Sequence, residues 1–199
     1  MSRLLAAALV VVAAALPPAI GNEALRPLAD AAQEKIETIR TLGAASRSPG
    51  APPIRTSLTE AEINAYLAVY GPETLPAGIA DPLVELGDAG RVRARATVDL
   101  DRVRRARPRG WSDPLAYVTG SVEVVAAGRI VTDRGLGRAE LESASVGGVA
   151  VPKSVVQELL RFFTASEERP EGFDLDRAFE LPGGVQRAVV ERGRVTVVQ

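Results

Sequence analysis

Cysteine and histidine are both absent from the 199 residues. Without cysteine there is no disulfide, no thiolate nucleophile and no Cys-ligated zinc or iron–sulfur site. Without histidine the commonest general base and the commonest metal ligand are missing, and a Ser-His-Asp triad is impossible. Carboxylate-only chemistry stays open. Lysine is scarce, with two against 22 arginines, a ratio that reads as the codon bias of a GC-rich bacterial genome. A net charge of −1 gives no overall attraction to nucleic acid or to a membrane surface. Aromatics make up only 4%. None interleave with the basic residues as single-strand binding requires, which disfavours nucleic acid again.

What is present is 46% hydrophobic residues, enough for one folded domain with a core of its own. The first of the apolar runs is a targeting signal. Arg3 forms a short positive region, Leu4 to Leu16 is unbroken apolar chain, Pro17-Pro18 ends it, and Ala19 and Gly21 are small residues at a cleavage site before Asn22. The expectation is an exported protein, periplasmic or extracellular. An uncleaved anchor is the rival reading.

From Glu23 to Leu42 the apolar residues Leu25, Leu28, Ala32, Ile36 and Ile39 recur at helical spacing, predicting an N-terminal amphipathic helix over 22–42. Residues 43–55, rich in Pro, Gly and Ser, read as a linker to a domain over 56–199. That domain opens on Thr59-Glu60-Ala61-Glu62, a capping box in which the threonine hydroxyl and the glutamate carboxylate satisfy each other's backbone amides. Ile63, Tyr66, Leu67 and Tyr70 then fall at helical spacing before Gly71-Pro72.

The period next changes to two. Val92 to Leu100, Val118 to Ala126 and Arg138 to Val146 alternate as half-buried strands, with a tight turn expected at Ala127-Gly128. Arg102 to Trp111 reads as a polar loop. Pro152 opens a helix whose Val155, Val156, Leu159, Leu160, Phe162 and Phe163 cover too wide an arc for a surface helix. Val185 to Val190 and Val195 to Val198 close the chain as a hairpin. Strands not separated by regular helices give an α+β fold, a strongly curved antiparallel meander packed around one or two helices.

Three stretches carry a family resemblance: Ser57-Leu58-Thr59-Glu60-Ala61-Glu62-Ile63-Asn64-Ala65-Tyr66-Leu67, then Val149-Ala150-Val151-Pro152, then Leu181-Pro182-Gly183-Gly184-Val185 through Gly193-Arg194-Val195-Thr196-Val197. Together they resemble small exported bacterial proteins of the tubular lipid-binding (TULIP-like) type, similar to the actinobacterial family implicated in lipomannan elongation and phospholipid binding. The resemblance implies a helix in the concave side of a bent sheet with lipid chains between them. It implies no catalytic residue.

The expected function is therefore non-catalytic binding of lipid or another amphiphile in an apolar groove at the cell envelope. The alternative is an envelope interaction module with a filled core. The groove candidates are Tyr66, Leu67, Tyr70, Val156, Leu159, Leu160 and Phe163; for the tyrosines, core packing is the competing role. Asn64 could meet a head group or satisfy a strand-edge backbone group. Arg104, Arg105, Arg107 and Arg109 are candidates for an anionic head group or a membrane surface. Residues 91 to 109 hold eight arginines against Asp99 and Asp101, while residues 60 to 88 hold six acids and no base, so a solvated face paired with that acidic segment is the competing reading. Asp99/Asp101 and Asp174/Asp176 are paired carboxylates without the further ligands of a calcium loop. No cofactor or metal is expected.

Overall fold

The computed structural model describes residues 22–44, 52–106, 119–165 and 170–199, an α+β arrangement of helices and antiparallel strands. The signal segment and most of the linker lie outside them. Helix α1 (Asn22–Ala44) is followed by strand β1 (Arg55–Thr59) and helix α2 (Glu60–Thr74). Strands β2 (Ile79–Leu86) and β3 (Arg91–Asp99) lead to the short helix α3 (Leu100–Ala106). Strands β4 (Ser121–Asp133), β5 (Leu136–Val146) and β6 (Val149–Ala150) precede helix α4 (Lys153–Thr164). Strands β7 (Phe179–Glu180), β8 (Arg187–Glu191) and β9 (Arg194–Val198) end the chain.

There are two sheets. The larger runs β2-β3-β4-β5-β6, with β7 also on β5; the smaller runs β1-β9-β8. The terminal hairpin thus pairs with β1, a strand that begins where a linker was expected to end. Thr132 joins the sheets: its hydroxyl donates to the Ala188 carbonyl at 2.8 Å and accepts from the Ala188 amide at 2.9 Å. The buried apolar residues form two clusters. Ala32 and Ile39 of α1, Ile63 and Leu67 of α2, Val84 and Leu86 of β2 and Val190 and Val195 of the hairpin form the first. Ala126, Ala144, Val156 and Leu175 form the second, between the larger sheet and α4.

Three expectations change. No turn forms at Ala127-Gly128. β4 continues through a bulge there, and Gly128 is needed because a Cβ would lie 2.4 Å from the Glu140 carbonyl oxygen; the glycine permits close strand approach, not chain reversal. The turn comes at Arg134-Gly135, both at positive φ. The expected arginine loop begins as a helix, α3, because Asp99 caps it: its carboxylate accepts from the Arg102 amide at 2.9 Å. The first helix runs past its expected end at 42, through Gly43 to Ala44. A Cβ at Gly43 would sit 2.1 Å from Gly183 backbone atoms, so contact with the Leu181–Gly184 turn is what demands a glycine there.

Candidate functional site

Helix α2 explains every polar residue of its first turns without chemistry. Glu62 accepts from the Thr59 amide at 2.8 Å and its own amide donates to the Thr59 hydroxyl at 3.2 Å. The same carboxylate takes Lys35 of α1 at 2.6 Å. Burial pushes the Glu62 carboxyl up, but the lysine and the threonine donors outweigh it and leave its pKa below the ordinary carboxylate value. Glu60 accepts from the Leu86 amide at 2.6 Å. Asn64 donates to the Val84 carbonyl at 2.8 Å and accepts from the Val84 amide at 2.6 Å. Glu60 and Asn64 therefore stand in for a neighbouring strand along the edge of β2, and Asn64 satisfies backbone rather than a head group.

That anchoring sets the rotation of α2. At 100° per residue, Tyr66 and Tyr70 lie roughly 200° and 240° round from Asn64, whereas Leu67 lies within about 60° of it. Tyr66 and Tyr70 consequently face α1 and not a groove. Their rings are 5.5 Å apart, Tyr66 packs on the first core, and the Tyr70 hydroxyl donates to Asp30. Leu67 alone of the three reaches the space beneath α4.

That space is real. A cavity of about 120 Å³ lies between α4 and the larger sheet, walled by Leu67, Pro82, Leu83, Val98, Val124, Val146, Leu159 and Leu160 and floored by Ala94, Ala96, Ala126 and Ala144. A second, of about 100 Å³, continues toward the far end of the sheet past Ile130, Ala139, Leu141, Phe173 and Phe179. The two share Val84, Val156 and Leu160. The floor follows from register: Ala94 pairs with Ala126, and Ala126 with Ala144, so three strands present their smallest side chains at one level.

Among the described residues the polar ties of the roof run along one flank. Lys153 bonds Asp176. Gln157 donates to the Phe173 carbonyl at 2.9 Å and accepts from the Leu175 amide at 2.8 Å. Arg161 reaches Asp174 at 3.2 Å, and the Thr164 hydroxyl accepts from the Phe173 amide at 2.6 Å. These positions recur every three or four residues along one side of α4. On the opposite side Val155 is exposed, and Leu159 lines the same cavity as Leu67 and Pro82. Phe163 belongs to α4, but its side chain lies outside the described residues.

The carboxylate pairs are structural. Besides the Asp99 cap, Asp101 accepts from the Gly120 amide at 3.0 Å and from Arg104 at 2.6 Å. Asp174 accepts from the Asp176 amide and from Arg161; the amide is the largest influence and, with the arginine, lowers its pKa in spite of desolvation. Arg105 is exposed on α3; Arg107 and Arg109 lie outside the described residues. The β3 arginines face outward, where Arg95 meets Glu123 at 3.3 Å. No cluster of three acidic residues close enough to hold a metal occurs among the described residues, and no described helix is long and apolar enough to cross a membrane. No family model, no curated protein and no solved structure matches the chain.

Proposed function

We propose that the protein binds an amphiphile non-catalytically, its hydrocarbon held between α4 and the larger sheet. The observation that carries this reading is the pair of neighbouring apolar cavities that share Val84, Val156 and Leu160 as walls. An ordinary core closes such space with larger side chains; here register stacks alanines beneath a helix tied on one side. Bulges at Ala80/Leu83 and Ala127/Gly128 support a sheet bent around α4, the arrangement that the tubular lipid-binding resemblance implies. Export by the Met1–Gly21 segment belongs to the same reading, since amphiphiles need carriers where they cross water between membranes.

Native mass spectrometry and organic extraction of protein purified from a bacterial host test it. The expected result is substoichiometric co-purified lipid and saturable binding of cis-parinaric acid, a fluorescent fatty acid. No lipid and no binding would replace the proposal with an envelope interaction module.

A further inference from the structure

We infer that the outer face of the smaller sheet binds a short acidic segment of a partner protein in an arginine-walled trough. The site is separate from the cavities under α4 and does not rest on the amphiphile reading. Side chains alternate along β8 and β9. Val190 and Val195 are buried in the first cluster, so Val189 and Thr196, which pair with each other, face the other way. A space of about 590 Å³ lies over that outer face; its walls are exposed, with Thr196 and Val198 half-buried at the floor. Register builds it. Val198 pairs with Arg55 of β1 on one side and with Arg187 of β8 on the other, which sets the two arginines two strand spacings apart, about 10 Å. Glu191 lies four residues along β8 from Arg187, about 13 Å away. The β4–β5 turn adds Arg134.

Charge decides the occupant. Three guanidiniums line the trough with two carboxylates, Asp133 and Glu191. Glu191 is paired to Arg194 at 3.3 Å, and Asp133 is shared by Arg134 at 2.9 Å and Arg187 at 3.0 Å. Arg187 foremost, those two hold the Asp133 carboxyl below its ordinary pKa. Among the described residues no carboxylate pairs with Arg55. The Ser57 and Thr196 hydroxyls bond each other at 2.9 Å, which uses one of their two protons and leaves the other to donate. Arg134 stands at a φ of 45°, strained for a residue with a Cβ. Such a turn ordinarily takes glycine, asparagine or aspartate; here the position supplies a positive charge. Shape narrows the class. The footprint, about 10 by 13 Å, is far below the roughly 800 Å² that each partner buries in a standard interface. It seats about four extended residues at 3.3 Å each, not a folded face. A flat bilayer does not reach the floor of a trough, and no aromatic lines it to stack a base.

The test is fluorescence anisotropy of labelled hexaglutamate, with hexaglutamine as the neutral control. Hexaglutamate alone is expected to bind, and less as salt rises. Arg55→Glu is expected to weaken binding at least about tenfold, the loss of one charge-assisted contact. Arg26→Glu makes the same charge change at an exposed position on α1 and should leave binding unchanged. Arg134→Gly relieves the strained turn, so melting temperature should hold while binding falls, which keeps the test decisive if Arg55→Glu folds poorly. Equal weakening by Arg26→Glu, or full binding by both trough variants, would overturn the inference. So would vesicles of anionic lipid that bind through these arginines while hexaglutamate does not, since the trough would then serve a membrane surface. Binding of cis-parinaric acid is expected to be the same in all three variants, so the amphiphile reading stands or falls separately.

Discussion

Asn64 shows how one side chain orients an element. Its amide completes both hydrogen bonds of Val84 on an edge strand, so removing it leaves a donor and an acceptor at a partly buried edge. Asn64→Ala is expected to destabilise the protein by about 2 kcal/mol, from two net hydrogen bonds of about 1 kcal/mol each. Urea unfolding with an unchanged slope checks this; a loss below about 0.5 kcal/mol would mean water replaces the amide. Glu62 predicts a pH dependence. Its folded pKa is depressed, so its contribution is fully present above the unfolded carboxylate pKa and is lost as pH falls through the lower folded value. Glu62→Gln should flatten the acid limb of the stability–pH curve and lower the neutral plateau by about 1 kcal/mol, the scale of a lost cap interaction. Parallel acid limbs for the two proteins would assign acid sensitivity elsewhere.

At the scale of elements, α4 is the informative piece. Gln157→Leu keeps volume but leaves the Phe173 carbonyl and the Leu175 amide without a partner, at a cost of about 2 kcal/mol. Hydrogen exchange should accelerate in 153–164 and 173–176 while α1 and α2 keep their protection. Uniform acceleration would show that α4 is not separately hinged. The start of α2 was legible in advance from the capping box, but α4 was only half legible: its apolar arc was expected to leave no water-facing side, whereas Val155 is exposed there together with Lys153, Glu158 and Arg161. What was not legible depended on partners remote in sequence. Whether Tyr66 and Tyr70 line the groove or pack in a core stayed open in the sequence, because the bonds of Asn64 and Glu60 to β2 that turn them toward α1 join residues far apart in the chain. Gly128 was indistinguishable from a turn glycine because its reason, the Glu140 carbonyl, is on another strand. Strand β1 hid in the alternation of Ile54 to Thr59, since a five-residue edge strand beside a Pro-rich stretch has little local signal.

At the scale of the whole molecule, the question is whether the space under α4 is a packing defect or a site. Ala126→Leu separates the two. Ala126 is only 4% exposed, on the floor of the near cavity between Ala94 and Ala144. In a filled core, enlarging such a residue overpacks it and costs about 1–3 kcal/mol. Over a cavity, the added carbons enter space already present and bury apolar surface, so stability should hold or rise slightly. The same carbons occupy the cavity, so cis-parinaric acid binding should fall at least tenfold. The expected outcome is this opposition: unchanged or higher melting temperature with lost binding. Lower stability with intact binding would place the ligand elsewhere. Unchanged binding at unchanged stability would mean that the leucine points away from the hollow and that Ala126 is not its floor. The first core offers the control. Ala32 of α1 is fully buried in the first core and lines neither cavity, so Ala32→Leu should show the overpacking penalty that Ala126→Leu escapes.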